Sequence, residues 1–301
     1  MGVAVASTTG GYQLVRRNSS QSQTSGSASS RGLGLLRGRS RLGRGDGRRP
    51  RRPGRSAGRY APAVKRGGYV RQLDGLVPYG EALELQRSLA GAVSQGALPD
   101  TVLLLEHRPV ITLGRRTGAG EVHVPEGAAV EIVETDRGGK STYHGPGQLV
   151  CYPIFDLTRH GQDVKRYCRD LEEALIRTLA AVGVGATRIE GLTGIWLESP
   201  LRKIASIGIH ISKWVTTHGY ALNVDLDPAP FTDWITACGL EDTAFTTIAR
   251  ELGRPVPVAD VRRHAVAALE EVFALELEEL PSGDGAALWP QPVHAQTAGA
   301  R

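Results

Sequence analysis

The chain has 301 residues, of which 41% are hydrophobic and 5% aromatic, with 38 glycines and 17 prolines. This composition is typical of a glycine-rich α/β or α+β protein and excludes a coiled coil or a fibre. No apolar run approaches the roughly 18 residues that a membrane-spanning helix needs, so we expect no membrane partner. Cys151, Cys168 and Cys238 share no short metal-type spacing, so we expect no metal site, no disulfide scaffold and a reducing, cytoplasmic location.

The net charge of +5 is unevenly distributed along the chain. Residues 1–68 hold 15 of the 36 lysines and arginines but one acid, Asp46, which gives them a net charge of +14. The other 233 residues carry 21 basic and 30 acidic side chains, a net charge of −9. Glycine, serine and arginine dominate residues 1–68, which predicts a disordered extension. Because residues 281–301 have a similarly loose composition, residues 69–280 are predicted to form the folded domain.

The Arg-rich extension has three interpretations. It could bind nucleic-acid phosphates, it could be an organelle transit peptide, or it could be a dispensable extension that follows from an early start codon. It has neither interleaved aromatic residues nor a folded nucleic-acid module, so we favour the third interpretation and expect no nucleic-acid partner. No compact apolar segment of about 7–15 residues follows the first charges, which argues against a secretory signal.

Hydrophobic periodicity predicts the elements of the body. Leu85, Leu89 and Val93 recur at helical spacing and predict an amphipathic helix over 80–95. Asp163 is predicted to cap a second helix that runs to about Val182, with one apolar face made of Val164, Tyr167, Leu171, Leu175 and Leu179. Strands are predicted at 102–105 and 110–113 (joined by a turn), 130–135, 149–154, 194–198, 204–211 and 218–224, and further helices at 243–252 and 258–273.

These elements mix helices with hairpin-spaced strands and show no strict βαβ alternation. Such a mixture predicts one α+β domain with a largely antiparallel or mixed sheet.

Two apparent phosphate-binding motifs fail on spacing. Gly139-Lys140-Ser141 looks like the end of a P-loop, but Glu134 stands where the first glycine is required. Gly32-Leu33-Gly34 lacks the third glycine of a dinucleotide fingerprint. Because no nucleotide or metal motif remains, we expect no cofactor.

Residues 137–148 contain five glycines or prolines and two basic residues between two predicted strands. Glycines permit positive φ angles and let a ligand approach bare backbone amides, although a long surface loop has the same composition. We favour the binding interpretation, because loops on rigid strands often carry function.

Three single residues are ambiguous when considered alone. A lysine at a strand end, such as Lys203, is usually a solvated edge residue, and a lone histidine such as His218 is usually structural. Cys238, beside a glycine in a predicted loop, is a candidate nucleophile if a cation favours its thiolate. Cys151 and Cys168 fall inside a predicted strand and a predicted helix, so we interpret both as packing residues.

Six segments, in order, resemble the bacterial octanoyltransferase family, the lipoyl(octanoyl) transferases of lipoate biosynthesis. The resemblance covers about residues 70–252 and leaves out the extension and the tail. Cys151, Ala237, Lys140 and Ser141 depart from the family pattern, but none of them replaces a residue to which the family gives a catalytic role. The segments are RGGKSTYHGPGQ at 137–148, LLEHRPVITLGR at 104–115, GLTGIWL at 191–197, KIASIGI at 203–209, HGYALNV at 218–224 and ACGL at 237–240.

The resemblance implies the α+β fold of the biotin/lipoate protein ligase catalytic domain, a mixed sheet with flanking helices. It implies transfer of an octanoyl group from octanoyl-acyl carrier protein to a specific lysine of a lipoyl domain. The acceptors would belong to 2-oxoacid dehydrogenases and the glycine-cleavage H protein. One alternative is an ATP-dependent lipoate-protein ligase of the same fold, and another is a non-catalytic member that binds acyl chains or carrier domains.

The resemblance also implies residue roles. The acyl-accepting cysteine falls on Cys238, and the lysine that favours its thiolate falls on Lys203. Docking of an acidic carrier protein would need a local basic patch, for which Arg137, Lys140, Arg202 and Lys213 are candidates. The substrate-contacting residues are Arg137, Gly138, Gly139, Lys140, Ser141, Thr142, Tyr143, His144, Ser206, Ile207, Gly208, Gly219, Tyr220 and Ala221.

Overall fold

A computed structural model describes residues 65–235 and 243–280, so the tail, nearly all of the extension and Cys238 lie outside the described residues. The described residues form one 3-10 helix (Leu157–His160) and five α-helices: α1 (Tyr79–Ser94), α2 (Val164–Ala181), α3 (Ala229–Asp233), α4 (Ile248–Leu252) and α5 (Val258–Phe273). They also form twelve strands: β1 (Arg66–Val77), β2 (Thr101–His107), β3 (Val110–Leu113), β4 (Glu131–Glu134), β5 (Thr142–His144), β6 (Gln148–Ile154), β7 (Thr187–Ile189), β8 (Leu192–Leu197), β9 (Arg202–Ser212), β10 (Val215–Asn223), β11 (Ala244–Phe245) and β12 (Leu275–Glu279).

Two mixed sheets organise these strands. The large sheet has the order β12-β1-β2-β6-β10-β9-β8-β7, with β11 added beside β9. In that spatial order, neighbouring strands from β2 through β6, β10, β9 and β8 to β7 are antiparallel. Strand β1 instead pairs in parallel with β2 and β12. The small sheet has the order β4-β3-β5. The predicted α+β fold with a mixed sheet is therefore confirmed.

Helices cover both faces of the large sheet because its central strands are apolar on both sides. Along β2, Leu103 and Leu105 pack in the cluster that contains the buried face of α1. Their neighbours Val102 and Leu104 pack in the cluster that contains α2 and α5. This alternation follows from the two-residue period of a strand. The large sheet is thus the middle layer between α1 and the pair formed by α2 and α5.

Helix α2 begins as its sequence predicts. Asp163 has an extended backbone, and its side chain accepts hydrogen bonds from the backbone N–H groups of Lys165 and Arg166. Tyr167, Leu171, Leu175 and Leu179 are buried along one face, as expected. Val164, which was predicted to share that face, is instead 40% exposed as the first residue of the helix.

Three features of the fold differ from the sequence-based predictions. The strands β2 and β3 are present, but the turn between them carries the chain from the large sheet to the small one. The element predicted as a helix over 243–252 begins with the short strand β11, and α4 follows it. The edge strand β12 and its neighbour β1 were not predicted, and β1 begins slightly before residue 69. Within the described ranges, no helix combines the length and the apolar character needed to cross a bilayer.

Candidate functional site

A cavity of about 420 Å³ lies where the loop before β5 meets the large sheet. Lys203 and thirteen of the fourteen predicted substrate-contacting residues lie in its wall, although they come from three separate stretches of sequence. The exception is Tyr143, whose ring instead packs edge-on against Phe231 and Trp234. The complete wall consists of Tyr79, Arg116, residues 137–142, His144, Tyr152, Cys168, residues 191–193, Trp196, Lys203, residues 206–209 and residues 218–221.

Residues 137–142, which we call the glycine loop, are fixed by one buried arginine. Arg137 donates hydrogen bonds from Nη2 to the Thr112 carbonyl oxygen at 2.6 Å and from Nη1 to the Lys140 carbonyl oxygen at 2.8 Å. The Gly138 N–H donates to the carbonyl oxygen of Ile209 at 2.9 Å. The fixed fork of a guanidinium suits such multiple backbone contacts. Arg137 therefore shapes the cavity wall through internal contacts.

The basic residues predicted to dock an acidic carrier have other contacts. Arg137 is buried, and Arg202 donates two hydrogen bonds to the carboxylate of Glu251. Lys140 forms an ion pair with Glu121. Burial alone would raise the pKa of Glu121, but the hydrogen bond from Lys140 holds it below its ordinary value. These three cations are therefore committed to partners within the domain.

The second and third predicted stretches face each other directly. Strands β9 and β10 are antiparallel neighbours, so backbone amides and small side chains from both strands form a continuous floor. Close approach explains the glycines in this floor. A Cβ atom on Gly219 would lie 2.2 Å from the carbonyl oxygen of Cys151 on the adjacent strand. The register places Ser206 opposite Ala221, Ile207 opposite Tyr220, and Gly208 opposite Gly219.

Lys203 is buried, with 3% of its surface exposed, at the start of β9. The pairing of β8 with β9 matches Ile195 to Ala205 but Trp196 to Lys203, so Ile204 is an extra residue on β9. Such a bulge re-aims the side chains beside it. The Lys203 Nζ atom lies 5.1 Å from the centroid of the Trp196 ring. The alternative interpretation of this lysine, a solvated edge residue, is wrong.

A group of five buried side chains, which we call the polar aromatic cluster, lies at the cavity and just behind it. It consists of Tyr79, His107, His144, Tyr152 and His218. The Tyr79 ring lies 5.1 Å from that of His107 and 6.2 Å from that of His144. His107 Nδ1 donates to the Val77 carbonyl oxygen at 2.9 Å, and its Nε2 therefore accepts from the Tyr152 hydroxyl at 2.7 Å.

The polar aromatic cluster is uncharged near neutral pH. Burial lowers the pKa of His107 to about 4, and burial together with the neighbouring His107 lowers that of His144 well below its ordinary value. Burial raises the pKa of Tyr79 and of Tyr152 above the ordinary range for a phenol. All five groups therefore act as hydrogen-bonding groups without a formal charge.

His218 is held by contacts on several sides. Its backbone has a φ angle of 57°, which is uncommon for a residue with a side chain and marks a constrained position. Its Nε2 atom lies 2.7 Å from Asp136 Oδ1, and its backbone N–H donates to Gln86 Oε1 at 2.7 Å. Partial burial would raise the pKa of Asp136, but the hydrogen bond with His218 lowers it. His218 is thus part of the cavity wall as well as a structural residue.

The cysteines have different surroundings. Cys151 is fully buried in β6, and burial raises the pKa of its thiol to about 12, which agrees with a packing role. Cys168 is only partly buried and lies in the cavity wall, so the interpretation as a packing residue is incomplete. Burial and the nearby Glu172 raise the pKa of Cys168. Cys238 lies outside the described residues.

Sequence reasoning missed Tyr79, Tyr152, Trp196 and Arg116, all of which lie in the cavity wall. Each belongs to a different strand, helix or turn, and only the pairing of distant strands brings them together. None is part of a motif with a known chemical spacing. Among residues 65–235 and 243–280, no three histidine, cysteine or acidic side chains are grouped to hold a metal ion.

Comparisons with known proteins agree on one family. The family model for the lipoyl protein ligase A/B catalytic domain matches residues 78–270. The chain is similar to an octanoyltransferase of Chloroflexus aurantiacus, with 49% identity over 207 residues that cover 67% of this chain and 92% of that protein. It is also similar to an octanoyltransferase of Mycobacterium tuberculosis, with 50% identity over 217 residues that cover 71% of this chain and 90% of that protein.

Solved structures show the same fold at lower identity. The chain is similar to a putative lipoate protein ligase from T. acidophilum with bound lipoic acid, with a TM-score of 0.60 and 15% identity over 74% of this chain and 92% of that chain. A lipoate-protein ligase A bound with ATP gives the same TM-score, identity and coverage. At this identity, the likeness establishes the fold alone.

Proposed function

Because the chain belongs to the octanoyltransferase family of acyltransferases, we propose that it transfers an octanoyl group from octanoyl-acyl carrier protein to a lysine of lipoyl domains. The acceptors would be the lipoyl domains of 2-oxoacid dehydrogenases and the glycine-cleavage H protein. The observation that carries the proposal is the burial of Lys203 in the wall of a cavity built from the family's motifs.

The first half-reaction would load the enzyme. The Cys238 thiolate attacks the thioester carbonyl of the donor, the carrier leaves as a thiolate that takes a proton from the Lys203 ammonium, and the octanoyl group remains on Cys238 as a new thioester. A nearby ammonium, that of Lys203, favours the thiolate over the thiol. Backbone amides near the reacting carbonyl would donate hydrogen bonds to the developing oxyanion.

The described chain on the C-terminal side of Cys238 supports this pairing. Strand β11 runs beside β9 and matches Phe245 to Lys203. The next backbone N–H, that of Thr246, donates to the Lys203 carbonyl oxygen at 3.0 Å. The chain that follows Cys238 therefore returns alongside the lysine, which favours a short distance between the two proposed catalytic residues.

The second half-reaction would deliver the octanoyl group. The acceptor lysine amine attacks the enzyme thioester, an amide bond forms, and the carbon–sulfur bond breaks to release the Cys238 thiolate. The amine must lose a proton in this step, and Lys203 in its neutral form accepts it. A thioester donor is already activated, so this route consumes no ATP.

Cys168 is the rival nucleophile because it also lies in the cavity wall. Its raised pKa disfavours the thiolate at neutral pH, and the neighbouring Glu172 adds to that effect. We therefore assign the thioester to Cys238. This choice makes Cys168 the natural control for any experiment on the nucleophile.

The proposal is tested by mixing the protein with octanoyl-acyl carrier protein and measuring the intact mass. We expect a gain of one octanoyl group on the wild type and on Cys168→Ser, but no gain on Cys238→Ser. Addition of a lipoyl domain should remove the adduct and produce an octanoylated domain.

Two outcomes would contradict the proposal. An adduct that persists on Cys238→Ser and disappears from Cys168→Ser would move the thioester to helix α2. Octanoylation of the lipoyl domain from free octanoate and ATP, with no adduct from the carrier donor, would place the protein with the lipoate-protein ligases.

A further inference from the structure

The surroundings of Lys203 contain a group to which the proposed mechanism gives no role. We propose that Trp196 is a positioning residue that holds the Lys203 ammonium in its working place through a cation–π contact. This inference rests on the proposed function and adds a residue that acts through Lys203 on the cysteine thiolate. Trp196 itself need not touch the substrate.

The β8–β9 bulge creates the contact. Residues matched across antiparallel strands present their side chains on the same face, and Trp196 is matched to Lys203. The Nζ atom lies 5.1 Å from the ring centroid, within the range of about 6 Å for a cation–π interaction. Both side chains are nearly fully buried, so water competes little with the ring for the ammonium.

Gly194 on the same strand makes room for the lysine. Its φ angle is 107°, which residues with a side chain rarely adopt. A Cβ atom on Gly194 would lie 2.8 Å from Lys203 Cε and 2.4 Å from the Ala205 carbonyl oxygen. The lysine chain therefore passes directly over a bare Cα atom. The glycine and the tryptophan together define where the ammonium can lie.

Packing alone does not account for a tryptophan at this position. Trp196 is 1% exposed, and its buried Nε1 atom has no hydrogen-bond partner among residues 65–235 and 243–280. A buried unpaired N–H costs free energy that a phenylalanine or leucine would not cost. The indole ring, however, has the strongest attraction for a cation among the aromatic side chains. The positive charge of Lys203 therefore explains why position 196 holds a tryptophan, which the apolar core alone would disfavour.

The functional consequence concerns the nucleophile. An ammonium stabilises a thiolate only at short range, and a lysine side chain has four rotatable bonds that would disperse its charge. A ring that attracts the ammonium reduces this freedom. Loss of the ring should therefore lower the thiolate population at Cys238 without removing either proposed catalytic residue.

The test measures the rate at which iodoacetamide alkylates Cys238 at neutral pH, with the modified cysteine identified by peptide mass spectrometry. Trp196→Leu should lower the rate roughly tenfold, because the ring is lost. Trp196→Phe keeps an aromatic face and should recover most of the rate. This recovery by a conservative variant would not be expected of a residue that only fills space.

A second measurement does not depend on the folding of Trp196→Leu. Tryptophan analogues with one to four ring fluorines weaken the attraction for a cation and nearly preserve the ring shape. The alkylation rate should fall stepwise as fluorines are added. The chain contains four tryptophans, so Trp196→Phe grown on the same analogues is the matched control, and its rate should not change.

The outcomes separate this inference from the proposed function. An alkylation rate that is unaffected by fluorination, in a protein whose Cys238 still accepts an octanoyl group, would overturn the role of Trp196 alone. Absence of the octanoyl adduct on the wild type would instead refute the proposed function. A stepwise decrease in the alkylation rate together with an intact adduct supports both.

Discussion

Acidification from pH 7 to pH 5 should destabilise the fold through His107. This side chain is fully buried, both of its ring nitrogens are hydrogen-bonded in the neutral form, and burial lowers its pKa from 6.5 to about 4. In the unfolded chain His107 is therefore protonated below pH 6.5, whereas in the folded chain it is protonated only near pH 4. The contribution of His107 to the free energy of unfolding is therefore present above pH 6.5 and decreases as the pH falls from 6.5 to about 4.

The size of the effect follows from the two pKa values. Between pH 7 and pH 5, the proton taken up by the unfolded chain at His107 removes about 2 kcal/mol of folding free energy. His144 and His218 act in the same direction because their pKa values are also lowered. The lowered pKa values of Glu121 and Asp136 affect stability only at lower pH, where carboxylates begin to take up protons.

The assay is urea unfolding of the wild type and His107→Asn at several pH values between 7 and 5. The asparagine keeps a donor for the Val77 carbonyl oxygen but leaves the Tyr152 hydroxyl without its acceptor, so we expect a loss of about 1–3 kcal/mol at pH 7. The difference from the wild type should then shrink by about 2 kcal/mol at pH 5. His264→Asn, at a partly exposed position on α5, should follow the wild-type curve. Unfolding free energies of the wild type and His107→Asn that decrease equally between pH 7 and pH 5 would refute this role of His107.

Two further predictions concern the backbone of the site. Gly219→Ala should destabilise the fold by at least about 2 kcal/mol in urea unfolding, because its Cβ would lie 2.2 Å from the Cys151 carbonyl oxygen. Gly91→Ala in α1, where a Cβ meets nothing within 4 Å, should instead stabilise by about 0.5–1 kcal/mol, and an equal loss in both variants would contradict this account. Arg137→Lys should speed hydrogen exchange in the glycine loop, because an ammonium cannot reproduce the forked contacts of a guanidinium. Unchanged exchange there would show that other contacts fix the loop.

Local patterns in the sequence predict the elements that carry their own signal. Helix α2 combines a capping aspartate with four apolar residues at helical spacing, and both features act within the segment itself. Strand β6 is apolar along most of its length, as expected where helices cover both faces of the large sheet. Such segments are identifiable because their burial does not depend on which strand lies beside them.

Long-range pairing produces the elements that the sequence does not reveal. Strand β12 carries alternating glutamates, and β1 is interrupted by Gly75 with a φ angle of 72°. Neither segment resembles a buried strand, and both join the sheet through parallel pairing, β1 with β2 and β12 with β1. A strand that depends on a partner about 200 residues away has no local signature.

The candidate site, like the fold, was predicted only in part from the sequence. The family resemblance supplied the glycine loop and the two facing strands, and the structure brings these stretches to one cavity. Of the polar aromatic cluster, it supplied only His144 as a site residue. His218 has the sequence context of an ordinary strand residue, and only its φ angle of 57° and its contact with Asp136 show its constrained position.

The contacts of the glycine loop have a mechanical consequence. Arg137 ties the loop to Thr112 in the small sheet, and the Gly138 N–H ties it to Ile209 in the large sheet. Moving the loop away from either sheet breaks the hydrogen bonds on that side. The position of this wall is therefore fixed by two sheets, each stiffened by its own ladder of hydrogen bonds. Any molecule that pushes the loop outward would have to break the hydrogen bonds that hold it to one of these sheets.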